Sequence, residues 1–120
     1  MKNTYWALKL SAILVIVFIL QKIFNPAFTK LLLLDSSAVL TRPWILLTSI
    51  FLHANLAHLL LNGFGLALFG SILENYIGSK KLLVCFFSSG LVASIFSSFF
   101  YDYSLGASGA IFGVMGALAY

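Results

Sequence analysis

PWILLTSIFLHANLAHLLLNGFGLALFGSIL, residues 43–73, runs for 31 positions without an Asp, Glu, Lys or Arg. A bilayer-spanning helix needs only ~20 apolar residues, so part of this run must lie outside the span. Pro43 favours a loop or a helix start. His53 and Asn55 place the beginning of the embedded helix near Phe51, and Glu74 marks its end, which predicts a helix over about 51–73. The rest of the chain has the same character: 62% of its 120 residues are hydrophobic, 8% are charged, and the mean hydropathy is +1.07. Soluble domains carry about 25% charged residues, and a chain this apolar would leave large exposed patches in water. The composition therefore predicts an all-α polytopic membrane protein.

Working outward, Tyr5 to Phe24 reads as a retained transmembrane helix over about 5–24, with Lys9 and Lys22 able to snorkel to the interfaces. A secretory signal peptide is the competing reading, but no small-residue cleavage site follows and Asn25-Pro26 suits a helix end. Residues 25–50 read as a loop with an apolar insert, Leu31 to Leu34, too short to span and suited to the interface or to packing on the core. A third span is predicted over about 82–101, after a turn containing Gly78, Ser79 and Lys80-Lys81. A fourth begins at about 105–120 and stops in apolar sequence, as an incomplete helix.

The formal charge of +4 is spread between the apolar runs. No clustered basic patch suggests nucleic acid, and the cations read as interfacial anchors. Lys2, Lys9, Lys80 and Lys81 fall on one side of the predicted spans and Lys22, Lys30 and Arg42 on the other, a bias that favours a cytoplasmic amino terminus. Cys85 is the single cysteine, so no internal disulfide can form, and its apolar surroundings favour a packing role.

Two groups of residues carry chemistry. In the first, His58 and Asn62 are four residues apart and share a helix face, whereas His53 is offset from His58 by about 140 degrees and belongs to the helix entrance. A histidine spacing of five, with no nearby carboxylate or thiolate, argues against zinc, so no metal site is expected. Taken alone, these residues fit interhelical hydrogen bonding as well as chemistry. The second group is Gly106-Ala107-Ser108-Gly109. Gly106, Gly109, Gly113 and Gly116 are spaced three, four and three, a stripe that admits another helix closely. Ser108 stands beside it at a predicted helix amino terminus, where free N–H groups favour developing negative charge. A serine there can be nucleophile and oxyanion donor at once. By itself the motif also fits simple packing, and the Gly-x-Ser-x-Gly elbow of soluble hydrolases is not met, because Ala110 holds its last position.

Taken together, Arg42-Pro43-Trp44-Ile45-Leu46-Leu47-Thr48, the His53, His58 and Asn62 spacing, Gly70-x-x-x-Glu74-x-x-x-Gly78 and Gly106-Ala107-Ser108-Gly109 resemble the rhomboid family of intramembrane serine proteases. The resemblance runs from about Arg42 to the end. It implies a rhomboid-like helical bundle, with residues 1–120 as a partial, amino-terminal rhomboid domain holding about four transmembrane helices, the fourth incomplete. It also implies Ser108 as the catalytic nucleophile, an oxyanion hole of His58, Asn62 and the Ser108 backbone N–H, and supporting places for His53, Gly106 and Gly109. The substrates implied are transmembrane segments of other proteins in the lipid bilayer, cleaved without metal or cofactor by a chain embedded in the cell membrane.

The sequence departs from the family pattern in two places. Ile45 stands where many rhomboids have arginine, which removes a polar anchor of the loop. The catalytic-base histidine, expected on a later helix, is absent, since no histidine follows His58. The expectation is therefore of a serine endopeptidase using a Ser-His dyad, active only when the chain continues past Tyr120 and inactive as these 120 residues alone, with the glycine stripe of the fourth helix left without its partner. The alternative is a non-catalytic rhomboid-like protein that binds membrane clients.

Overall fold

The computed structural model describes residues 3–120, so Lys2, one of the cations used for orientation, lies outside the described residues. Among those described, three helices are long and apolar enough to cross a membrane: α1 (Trp6–Phe24), α4 (Leu56–Ile77) and α5 (Ser79–Phe100). Two short helices, α2 (Ala27–Leu32) and α3 (Ile45–Thr48), lie between α1 and α4, and α6 (Ser108–Ala119) follows α5. This is the all-α membrane bundle that the composition implies.

The helix bounds differ from the sequence expectation for local reasons. α4 begins at Leu56, not Phe51, because Ser49–Phe51 forms a 3-10 turn, Leu52 is extended, and the Asn55 side chain caps the new helix by accepting the His58 N–H at 2.9 Å. It continues past Glu74 to Ile77, and Gly78, at φ 87, ends it. α5 then starts at Ser79, so Lys80 and Lys81 belong to its first turn.

The segment expected as a loop over 25–50 has structure of its own. β1 (Leu34–Asp35) pairs antiparallel with β2 (Tyr103–Ser104), Leu34 opposite Ser104. The apolar insert divides: Leu31 is exposed and Leu34 is buried. Ile45 is fully buried, and polar anchoring comes from elsewhere, with Thr48 Oγ1 donating to the Leu32 carbonyl at 2.8 Å and Arg42 Nη1 to that of Leu31 at 3.2 Å.

α1 buries one stripe, Ala7, Leu10, Leu14, Phe18 and Gln21, at the helical period. Its opposite face, including Val15, Ile16 and Ile19, is exposed, as lipid contact allows. Gly70-x-x-x-Glu74-x-x-x-Gly78 binds α1 to α4. A Cβ at Gly70 would stand 2.9 Å from that of Ala7, so the helices cross closely there, within a wide π-type turn at Leu66–Gly70. The Glu74 carboxylate, 1% exposed, accepts the Trp6 N–H at 2.8 Å, the Ala7 N–H at 3.1 Å and the Ser79 hydroxyl. It supplies the negative charge that the first turn of α1 lacks in its own sequence.

The expected stripe of four glycines is corrected to two. Gly106 lies in the loop before α6, and a Cβ at Gly116 would meet nothing within 4 Å. Gly109 and Gly113 press against Ala93 and Ser89 of α5, so these positions have their partner helix. Ala110, Ile111 and Val114 carry the other side of α6 into the core against α1, α4 and α5. Cys85 is half-buried with its Sγ 3.6 Å from the Gly113 carbonyl, a packing position.

Candidate functional site

His53 sits in the turn ahead of α4, 1% exposed. The side-chain amide of Gln21, from the last turns of α1, brackets its peptide: Oε1 accepts the His53 N–H at 3.0 Å and Nε2 donates to the His53 carbonyl at 3.1 Å. Gln21 is itself 3% exposed. Sequence reasoning missed this residue, although a lone amide in an apolar span is a signal worth following.

On the imidazole, Nε2 lies 2.9 Å from Asn62 Nδ2, two turns into α4. An amide nitrogen only donates, so Nε2 accepts and the ring proton sits on Nδ1, which is buried without a partner among the described residues. Burial lowers the pKa of His53, and the neighbouring charge of His58 lowers it further. The helical offset separated His53 from the face of His58 and Asn62; the turn before α4 brings its ring to Asn62 all the same. His58 is exposed in the first turn of α4.

Asn62 Nδ2 has a second proton and faces the loop that leads to Ser108. A Cβ placed at Gly106 would stand 4.0 Å from Asn62 Nδ2 and 3.8 Å from the Leu52 carbonyl. Gly106 has φ 115, a backbone region that glycine enters without a steric cost, and its N–H bonds to the Ser49 carbonyl at 2.9 Å. Ala107 is fully buried, and Ser108, the first residue of α6, is exposed. No side chain caps this end of α6, so the first N–H groups of the helix remain available. Gly109 brings α6 against α5 at the same level. Among the described residues no hydrogen bond joins Ser108 to either histidine.

Behind Ser108 is a cavity of about 150 Å³ between α5 and α6, lined by Ser49, Ser94, Ser97, Ser104 and Ser108 among others. Five hydroxyls around one space are costly in lipid unless hydrated, and a cavity this size admits water. Four of these serines escaped the sequence reading, because hydroxyls on apolar helices also serve packing and only the fold gathers them. The described residues contain no group of three His, Cys, Asp or Glu arranged to hold a metal.

The family model described as Rhomboid domain matches residues 40–120. Rhomboid protease GluP of Bacillus subtilis (strain 168) is 46% identical over 78 residues, 64% of this chain and 15% of its own length. The putative rhomboid protease YdcA of the same organism is 41% identical over 76 residues, 61% of this chain and 38% of its own. Inactive RHOMBOID-like protein 8 of Arabidopsis thaliana is 35% identical over 77 residues, 62% of this chain and 22% of its own. The chain thus spans well under half the length of these relatives. The matched region holds both Asn62, with its histidine neighbour, and the glycine-flanked Ser108, and on that match the chain belongs to the rhomboid family.

Proposed function

We propose that the chain forms the nucleophile half of an intramembrane serine endopeptidase acting on transmembrane segments of other proteins. Ser108 Oγ attacks the scissile carbonyl carbon, and the carbonyl oxygen becomes an oxyanion held by the Ser108 N–H, Asn62 Nδ2 and His58. The Ser108 proton passes to a base and from it to the leaving amine as the C–N bond breaks. Water from the serine-lined cavity then attacks the acyl-enzyme, giving its proton to the base, and Ser108 is restored as the acid product leaves.

The observation that carries this reading is the place of Ser108: exposed on the first residue of α6, beside uncapped N–H groups, at the wall of a polar cavity. The base in this reading is a histidine other than His53 and His58, since the first is bonded to Asn62 and the second is assigned to the oxyanion. The 120 residues alone are accordingly expected to show no turnover. The site is read as lying in the cell membrane with the amino terminus of α1 cytoplasmic.

The test is cleavage of a transmembrane reporter by the full-length protein in liposomes. Ser108→Ala is expected to abolish cleavage while leaving expression and thermal stability intact; undiminished cleavage rejects the nucleophile. Turnover by the 120-residue chain, lost in Ser108→Ala, rejects the need for a further histidine.

A second reading, a non-catalytic client-binding protein, is favoured by one observation: no hydrogen bond links Ser108 to a histidine among the described residues. It expects client capture that Ser108→Ala leaves unchanged, with no cleavage product from either chain.

A further inference from the structure

A second recess, apolar in its lining, does not include Ser108. It measures about 430 Å³ and runs between α1 and α5, walled by Trp6, Leu10, Ile13 and Val17 on one side and Leu83 and Phe87 on the other. The α1 residues follow one stripe over eleven positions, ~16 Å along the helix axis. The segments α2 and α3 close the far end. Thr48 is the one polar side chain in the lining, and its hydroxyl is already bonded to the Leu32 carbonyl. Both walls are helices long and apolar enough to cross a membrane.

Lysines gather at the amino-terminal end of α1. Trp6 lines the recess there, and Lys9 Nζ lies 4.9 Å from the Trp6 ring centroid. Ser79 is tied to the same end of α1 by the Thr4 N–H at 2.7 Å, and Lys80 and Lys81 follow it in the first turn of α5. All three lysines are exposed. The nearby acid, Glu74, is buried and engaged by the α1 amino terminus, and no described acidic side chain pairs with these lysines.

We propose that this recess holds one acyl chain of an anionic phospholipid, with its phosphate at Lys9, Lys80 and Lys81, from the leaflet at the amino-terminal end of α1. The apolar lining accepts the chain and rejects a polar ligand. The cations at this end of the two helices choose the headgroup, since basic residues at a membrane surface attract anionic lipid. The lipid would brace α1 against α5 across the recess. This inference is independent of the protease reading.

The test is native mass spectrometry of the full-length protein, purified from liposomes containing equal amounts of phosphatidylglycerol and phosphatidylcholine. One retained phosphatidylglycerol per protein is expected. Lys80→Gln with Lys81→Gln should lower its retention by about fivefold for each lysine removed. Ile13→Trp, which fills the recess and leaves the lysines, should abolish retention of either lipid. A thermal melt confirms that each variant is folded, and the exposed lysine pair provides a test that does not disturb packing. Equal retention of the two lipids, retention unaffected by the lysine substitutions, or a second copy of the chain bound in place of lipid would each overturn the proposal.

Discussion

Asn62 Nδ2 and His53 Nε2 are 2.9 Å apart, and this contact ties the turn before α4 to a residue that faces the Ser108 loop. The histidine takes one amide proton and leaves the other for the site. The Gln21 amide, from α1, holds the histidine peptide in place.

On the proposed oxyanion assignment, Asn62→Ala should reduce cleavage by the full-length protein about 10 to 100-fold, because the other proposed donors remain. His53→Ala should reduce cleavage less than Asn62→Ala, since it leaves Asn62 present but free to turn. The two substitutions together should cost less than the product of their separate effects, because they act through one contact. Initial rates of reporter cleavage for the single and double variants check this, and multiplicative effects would mean that the contact does not position Asn62.

The lowered pKa of His53 makes stability depend on pH. The folded protein favours neutral His53, so its contribution is full above the unfolded value of about 6.5 and falls as the pH drops through the lower folded value. Thermal melts from pH 7.5 to 5 should show a steeper loss for the native chain than for His53→Gln. Parallel profiles would count against burial of the neutral ring.

Gly113→Ala should destabilise the bundle by about 1–3 kcal/mol, because its new methyl group would collide with Ser89 on α5. Ser89→Gly should recover much of that loss. Gly116→Ala meets nothing within 4 Å and should be neutral or stabilising, by up to about 1 kcal/mol. Melting temperatures in detergent distinguish these cases.

Glu74→Ala should destabilise by about 1–3 kcal/mol, leaving the Trp6 and Ala7 N–H groups without their acceptor in a buried position. Glu74→Gln keeps one carbonyl oxygen and should lose less. Equal melting temperatures for Glu74→Ala and the native chain would show that water replaces the carboxylate.

The bundle was legible in the sequence because lipid leaves few choices: long uncharged runs must become helices when no water is present to satisfy the backbone. Ser108, Asn62 and His58 were legible as unusual polar residues in such runs, supported by the family likeness. The helix starts were harder to read, because Asn55 and Gly78 act through cap geometry at single residues. Tertiary structure alone decided that His53 meets Asn62, that Gln21 brackets His53, that Glu74 caps α1, and that serines from the 3-10 turn after α3, from α5, β2 and α6 surround one cavity. Each is a contact between residues far apart in the chain, chosen by how the helices pack, and hydropathy along the chain carries no record of that choice.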